Sequence, residues 1–188
     1  MRTYQVSLRS VTPYSQSRYH ESPKLDNELP DAYDKRTCRE HLHYDPATGE
    51  VFIPPMAIRN SLSEAAQFLS MRVPGKGQAT YTKHFLAGVM LMEPVKLGIH
   101  KDGIPIEALF LPTDGVRGGG KRAIRRFPRI DSWTATCDIL VVDETISEEV
   151  LKHHIIQAGL LIGIGRFRPR NGGFYGRYEL VSMKEVAS

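Results

Sequence analysis

The feature that narrows the possible folds most is the run Gly163-Ile164-Gly165-Arg166-Phe167-Arg168-Pro169-Arg170-Asn171-Gly172-Gly173-Phe174-Tyr175-Gly176-Arg177-Tyr178. It holds five glycines, four arginines and four aromatic residues, and no acid. Each glycine weakens a helix or strand interior by roughly 0.5–1 kcal/mol, so the run predicts a long loop. A helix-patterned segment precedes it and a strand-patterned one, Tyr178-Glu179-Leu180-Val181, follows. Glycine lets a backbone approach a partner closely, arginine forks onto phosphate, and an aromatic face accepts an unstacked base. The combination predicts a surface for single-stranded nucleic acid.

The rest of the pattern frames that loop. Residues 3–11 alternate as a strand. Residues 12–40 are polar and aperiodic, too long for a plain connection, and predict a functional excursion. Residues 42–44 and 50–53 flank Asp45-Pro46-Ala47-Thr48-Gly49, the makings of a short hairpin. Pro54-Pro55 opens a helix whose apolar face is Ile58, Leu62, Ala65 and Leu69, and Pro74-Gly75-Lys76-Gly77 ends it. Residues 85–99 read as a buried strand interrupted near Pro94, 104–111 as a short strand, and 112–131 as a basic loop. Residues 133–142 give the clearest strand. Thr145 with Glu148 forms a capping box, and Val150, Leu151, Ile155, Ala158 and Leu161 or Ile162 supply the apolar face of a second helix. A final strand covers 177–183. The order predicts an α+β class, a ferredoxin-like βαββαβ sandwich related to RNA-recognition modules, with inserted loops, in a single domain over 1–188. Fold alone assigns no function.

Charge is distributed unevenly. Arg117, Lys121, Arg122, Arg125, Arg126 and Arg129, with the four arginines of the glycine-rich loop, make ten of the 25 basic residues. The remainder carries 15 basic against 21 acidic residues, so two acid-free basic segments sit on an acidic body. That is the footprint of a polyanion site. The segment around Arg117-Gly118-Gly119-Gly120-Lys121-Arg122 predicts a flexible arm that orders on a strand, with Phe127 or Trp133 as a wedge and Arg122, Arg125 and Arg126 on phosphates. At the start of the first long helix, Arg59 and Asn60 lie where free N–H groups favour an anion.

Other function classes find little support. The glycine run at 118–120 lacks the spacing of a nucleotide-binding phosphate loop. Cys38-x-x-His41-x-His43 has no second cluster to complete a zinc site, and no Ser-His-Asp or G-x-S-x-G pattern exists. No metal or other cofactor is expected. No apolar run nears the roughly 18 residues that span a bilayer, so no membrane partner is expected. Cys38 and Cys137 are too few for a disulfide framework, which places the chain in a reducing cytoplasm.

Two segments resemble one family. Glu50-Val51-Phe52-Ile53-Pro54-Pro55-Met56-Ala57-Ile58-Arg59-Asn60-Ser61-Leu62 is similar to the "IPGSSLKGxLR" element of the RAMP superfamily of CRISPR-associated proteins, and the loop at 163–176 is similar to that superfamily's glycine-rich loop. Pro55-Met56-Ala57 stands where Gly-Ser-Ser is usual, and Asn60 where a lysine is common. The branch implied is the backbone subunits that polymerise along a guide RNA.

That resemblance implies several roles. Residues 12–40 take the place of a finger-like excursion and 112–131 that of a thumb-like loop. Arg166, Arg168 and Arg170 hold phosphates, approached by backbone N–H groups of Gly163, Gly165 and Gly172. Phe167 and Tyr175 stack bases, and the helix start at Arg59 and Asn60 faces RNA. The partners implied are single-stranded RNA, further copies of the chain head-to-tail, and other effector-complex subunits. Stacking and phosphate contacts would serve single-stranded DNA equally. Superfamily members that cut RNA use an acid or a histidine, which makes Asp31, Asp34 and His43 the candidates for an endoribonuclease alternative. A protein scaffold is the third class.

Overall fold

The computed structural model of the chain describes residues 1–113, 118 and 120–186. In chain order its elements are β1 (Arg2–Ser10), α1 (Pro30–Thr37), β2 (Glu50–Ile53), α2 (Pro55–Leu69), α3 (Thr82–Gly88), β3 (Val89–Met90), β4 (Val95–His100), β5 (Ile106–Pro112), β6 (Arg122–Pro128), β7 (Thr134–Val141), α4 (Glu148–Gln157) and β8 (Tyr178–Val186). A four-stranded antiparallel sheet in the order β3-β7-β1-β8 forms the platform, with α2 and α4 supplying the two helices of the sandwich. This is the ferredoxin-like fold.

Period-two alternation builds the platform. Tyr4, Val6 and Leu8 of β1 and Ala135, Cys137, Ile139 and Val141 of β7 are buried on one face. The register Arg2↔Val141 to Arg9↔Thr134 stacks them in cross-strand rows. Helix α2 lays Ile58, Leu62 and Ala65 into the same core, and α4 adds Leu151 and Ile155. Each such aliphatic side chain contributes about 1.5–3 kcal/mol on burial. Beyond α4 the chain widens into one π-helical turn, Ala158–Ile162, in which Gly159 presses on the backbone of Tyr178. A Cβ at Gly159 would lie 2.0 Å from the Tyr178 carbonyl oxygen. The missing side chain lets the helix end seat directly on the start of β8.

Several sequence expectations need correction. Residues 85–88, expected to begin a buried strand, instead end helix α3: Phe85 points inward while Leu86 is exposed, a one-sided burial that the apolar run itself conceals. Strand β3 is therefore only two residues long, and β4 leaves the main sheet to pair with β2. The aperiodic excursion contains helix α1. The basic segment 112–131, expected as a loop, contains a strand, β6, paired with β5 from Ile106↔Pro128 to Pro112↔Arg122. The cap of α4 is Ser147, whose Oγ accepts the Val150 N–H at 3.3 Å, while Thr145 is tied by its own N–H to Asp143.

His154 on α4 is fully buried, stacked on Phe85 with 4.1 Å between ring centroids, and its Nδ1 donates to the Val150 carbonyl. Burial pushes its pKa below the ordinary imidazole value, as it does for His41 and His43. A base with a depressed folded pKa binds fewer protons folded than unfolded, so stability falls as pH drops below the unfolded value of about 6.5. The urea midpoint is expected to fall between pH 7.5 and 5.5, and His154→Phe to flatten part of that dependence. An unchanged slope in the variant would mean that His154 is not held neutral.

Candidate nucleic-acid interface

The glycine-rich loop is fastened to residues that immediately follow β1. Tyr14 is buried, pairs with Ile130 through two backbone hydrogen bonds of 2.8 Å, and meets Trp133 edge-on. The neighbouring carbonyls then take the loop: Arg166 N–H donates to Ser15 at 2.8 Å and Gly176 N–H to Pro13 at 2.7 Å. Inside the loop, Tyr175 N–H returns to the Phe167 carbonyl at 2.9 Å and Gly173 N–H to that of Arg168 at 3.1 Å. Phe167 itself sits at φ +55°, a left-handed conformation uncommon for an aromatic residue. Gly173 makes this geometry possible, because a Cβ there would come within 1.9 Å of the Phe167 carbonyl oxygen.

The closed loop faces the β5–β6 hairpin across a groove. Phe167 of the loop meets Phe127 of the hairpin edge-on at 5.7 Å and Tyr175 at 6.0 Å. His41 continues the aromatic row beyond Phe127 at 6.4 Å, and His20 touches His41 at 4.8 Å. The Arg166 guanidinium lies over the Phe127 ring at 3.8 Å, and its buried Nε has no hydrogen-bond acceptor among the described residues. Burial lowers its pKa to about 10, so it remains a cation at neutral pH.

Most other cations of the site are held by internal acids. Arg126 binds Asp31 at 2.8 Å and Asp34 at 3.2 Å, and Asp34 also accepts the Arg126 backbone N–H. This pins α1 to the hairpin. Arg168 turns towards α2 and binds Glu64 at 2.9 Å, with Arg170 4.0 Å from the same carboxylate and over Phe68. The Tyr175 hydroxyl donates to Glu107 at the hairpin base; burial and that carboxylate raise its pKa to about 12. Glu107 also meets Arg129 at 3.4 Å, so loop and hairpin are bolted together.

The remaining predicted residues fall in distinct places. Gly163 and Gly165 turn inward: the Gly163 N–H is spent on Ala158, and a Cβ at Gly165 would lie 2.4 Å from the Ser15 carbonyl oxygen. The Gly172 N–H closes onto Pro169. Arg59 and Asn60 sit in the second turn of α2; Arg59 donates to the Leu86 carbonyl, and Asn60 lies one turn before Glu64 on the Arg168 side. His43 packs on Phe52, away from the groove. Lys121, Arg122 and Arg125 are exposed along β6 and its approach, and Arg117 lies outside the described residues. Phe127 and Trp133, expected as a wedge, are both buried. The exposed apolar pair is instead Phe110 (62% exposed) and Ile124 (49%), directly opposite each other across the hairpin, with Arg122 over the Phe110 ring. The short strand expected over 104–111 already contained Phe110, and the arginines of 122–126 hid the strand that would have revealed its partner.

The open face of the two central strands offers no alternative platform. RNA-recognition modules stack bases there on aromatics. Here Thr3, Gln5, Ser7 and Arg9 of β1 lie beside Thr134, Thr136 and Asp138 of β7, with Ser7 and Thr136 hydroxyls 2.9 Å apart.

No protein-family model and no curated protein matches the chain by sequence. Among solved structures, a chain of the type III-B Cmr-beta complex bound to cognate target RNA is similar at a TM-score of 0.59 and 12% identity, over 98% of this chain and 60% of that one. A chain of a CRISPR RNA-guided surveillance complex gives a TM-score of 0.41 and 10% identity, over 96% and 68%. The first likeness is one of fold, and the present chain spans about 60% of that longer subunit.

The loop packing predicts that Gly173→Ala, forced against the Phe167 carbonyl, destabilises the protein by roughly 1–3 kcal/mol. Urea denaturation checks this; an unchanged midpoint would mean that the loop does not close on itself in this way.

Proposed function

We propose that the chain binds single-stranded RNA of guide type along the groove between the glycine-rich loop and the β5–β6 hairpin. It does so as a repeating subunit of a filamentous ribonucleoprotein in the cytoplasm, stacked head-to-tail with copies of itself and in contact with other effector-complex subunits. The observation that carries this reading is the convergence of the two acid-free basic segments, far apart in sequence, on one groove. A fold shared with a subunit of an RNA-bound Cmr-beta complex supports it. In this reading Arg125, Arg122 and Lys121 hold phosphates from the hairpin side, and Arg168 and Arg170 from the loop side. The hairpin serves as a thumb, with Phe110 and Ile124 on the face turned away from the groove, and residues 12–40 serve as a finger.

Binding most of the strand through phosphates tolerates most sequences. The endoribonuclease alternative gains no support from the acids, since Asp31 and Asp34 act as counter-ions to Arg126. Purification followed by absorbance at 260 and 280 nm, with RNase or DNase treatment of any retained strand, separates the readings. RNase-sensitive material in a large, regular assembly supports the proposal. A protein that retains neither strand at low salt leaves the scaffold class ahead.

Loss of a single phosphate contact is expected to act evenly on all sequences. For Arg168→Ala, titration by fluorescence anisotropy should show several-fold weaker RNA binding. The slope of log affinity on log salt should be shallower by about 0.7, the value for one phosphate on a single strand. An unchanged slope would remove Arg168 from the phosphate contacts.

A further inference from the structure

The groove holds a donor and an acceptor side at once. Arg166 presents a guanidinium whose Cζ lies 3.8 Å from the centre of the Phe127 ring, with a buried Nε lacking any acceptor among the described residues. A desolvated donor left unpaired is costly, so the site is incomplete until an acceptor arrives. Asp34 lines the same groove. Its Oδ2 is taken by Arg126, while among the described residues its Oδ1 has only Arg125, at 3.9 Å. His41 lines the groove as well, and its Nδ1 donates to the Arg18 carbonyl at 3.0 Å, which leaves Nε2 as a second acceptor. Phe167 supplies an aromatic wall.

A phosphate satisfies only half of this set. Its oxygens would suit Arg166, yet they would stand beside the carboxylate of Asp34 and the lone pair of His41, acceptor against acceptor. The ligand must be planar enough for an aromatic wall and must carry acceptors and donors together. Guanine has that pattern: O6 and N7 accept the fork of an arginine, and N1–H and the N2 amine donate. Adenine replaces the O6 acceptor by a donor, which would face the guanidinium. Uracil and cytosine have no counterpart to N7.

We propose that this groove captures one unstacked guanine base of the bound strand, with Arg166 on O6 and N7 and with Asp34 and His41 Nε2 accepting its N–H groups. The proposal rests on the reading of the groove as a strand-binding surface and adds a base preference at one position per subunit to an otherwise sequence-tolerant contact.

The test uses fluorescence anisotropy with three labelled RNAs: twelve uridines, the same strand with one central guanosine, and the same with one central adenosine. The guanosine strand is expected to bind about tenfold tighter, near the low end of what a bidentate arginine–guanine pair supplies. Replacing that guanosine by 7-deazaguanosine, which lacks the N7 acceptor, should abolish most of the gain without touching the protein. Arg166→Lys, which keeps the charge and loses the fork, should remove the preference for the guanosine strand over the uridine strand. Equal binding of the three strands, a preference for adenosine, or a gain that survives 7-deazaguanosine would overturn the guanine assignment while leaving strand binding intact. If none of the strands binds, the strand-binding reading fails and the base pocket fails with it.

Discussion

Everything in the candidate interface hangs on the short strap that follows β1. Residues 12–16 leave the sheet, pair with Ile130 through Tyr14, and offer the carbonyls of Pro13 and Ser15 to the glycine-rich loop. Three distant parts of the chain are thereby fixed to one another: the first strand, the segment that joins the hairpin to β7, and the loop before β8. The fit is tight because glycines lie where the strap and loop touch. Gly165 rides against Ser15 and the Tyr14 ring, and Gly176 against the Ile164 carbonyl, both at positive φ. The glycines that suggested close approach to a ligand thus mostly serve close approach of the chain to itself, and the rigid loop they permit is what presents the arginines.

Electrostatics within the site are balanced by position rather than by number. Arg126 and Arg168 find carboxylates within hydrogen-bonding distance, Arg170 lies at the edge of ion-pair range, and among the described residues Arg166 finds only the rings of Phe127 and Phe167. Arg168 and Arg170 sit at half-buried or exposed positions, where phosphate oxygens can compete with Glu64 at modest cost because such ion pairs are worth at most about 1 kcal/mol. The unpartnered one is the most desolvated, where an acceptor gains most. The internal acids offset the positive charge of the loop and hairpin, and on the proposed reading the unpaired Arg166 donor is where a ligand gains specificity rather than bulk affinity.

How much of this was legible in the sequence depends on where each signal lived. Strands β1 and β7 and the faces of α2 and α4 declared themselves through period and capping chemistry, and with them the ferredoxin-like order. Helix α3 did not, because Phe85-Leu86-Ala87 is an apolar run whose burial side is decided only by packing against α2. Strand β6 did not, because Arg122, Arg125 and Arg126 break the apolar alternation on a hairpin that is exposed on much of its surface. The clustering of Arg125, Arg126, Phe167 and Tyr175 was anticipated as a set of residue types. Their actual partners were not: Glu64, Glu107 and Asp34 are ordinary surface acids in sequence, and only the strap and the hairpin bring them to the arginines. Tyr14 was hidden for the same reason, since a lone aromatic in a polar stretch has no periodic neighbours to mark it as core.

The hairpin shows how one two-stranded element can carry two surfaces. Side chains alternate along β5 and β6, so Leu111, Arg125 and Phe127 line the groove while Phe110 and Ile124 project on the other side. A two-stranded ribbon alone is marginally stable in water. Here it is braced at its base by Arg126 to α1 and by Glu107 to Tyr175 and Arg129, from both faces. This bracing lets the ribbon carry its exposed apolar pair, Phe110 and Ile124, without unfolding. It also couples the groove to the hairpin: a ligand that draws Arg126 or Tyr175 from its carboxylate must loosen the ribbon, and one that fills the groove without disturbing them stiffens it. On the proposed reading, a strand with phosphates on Arg125 and a base beside Arg166 is of the second kind, and the hairpin is expected to become firmer on binding it.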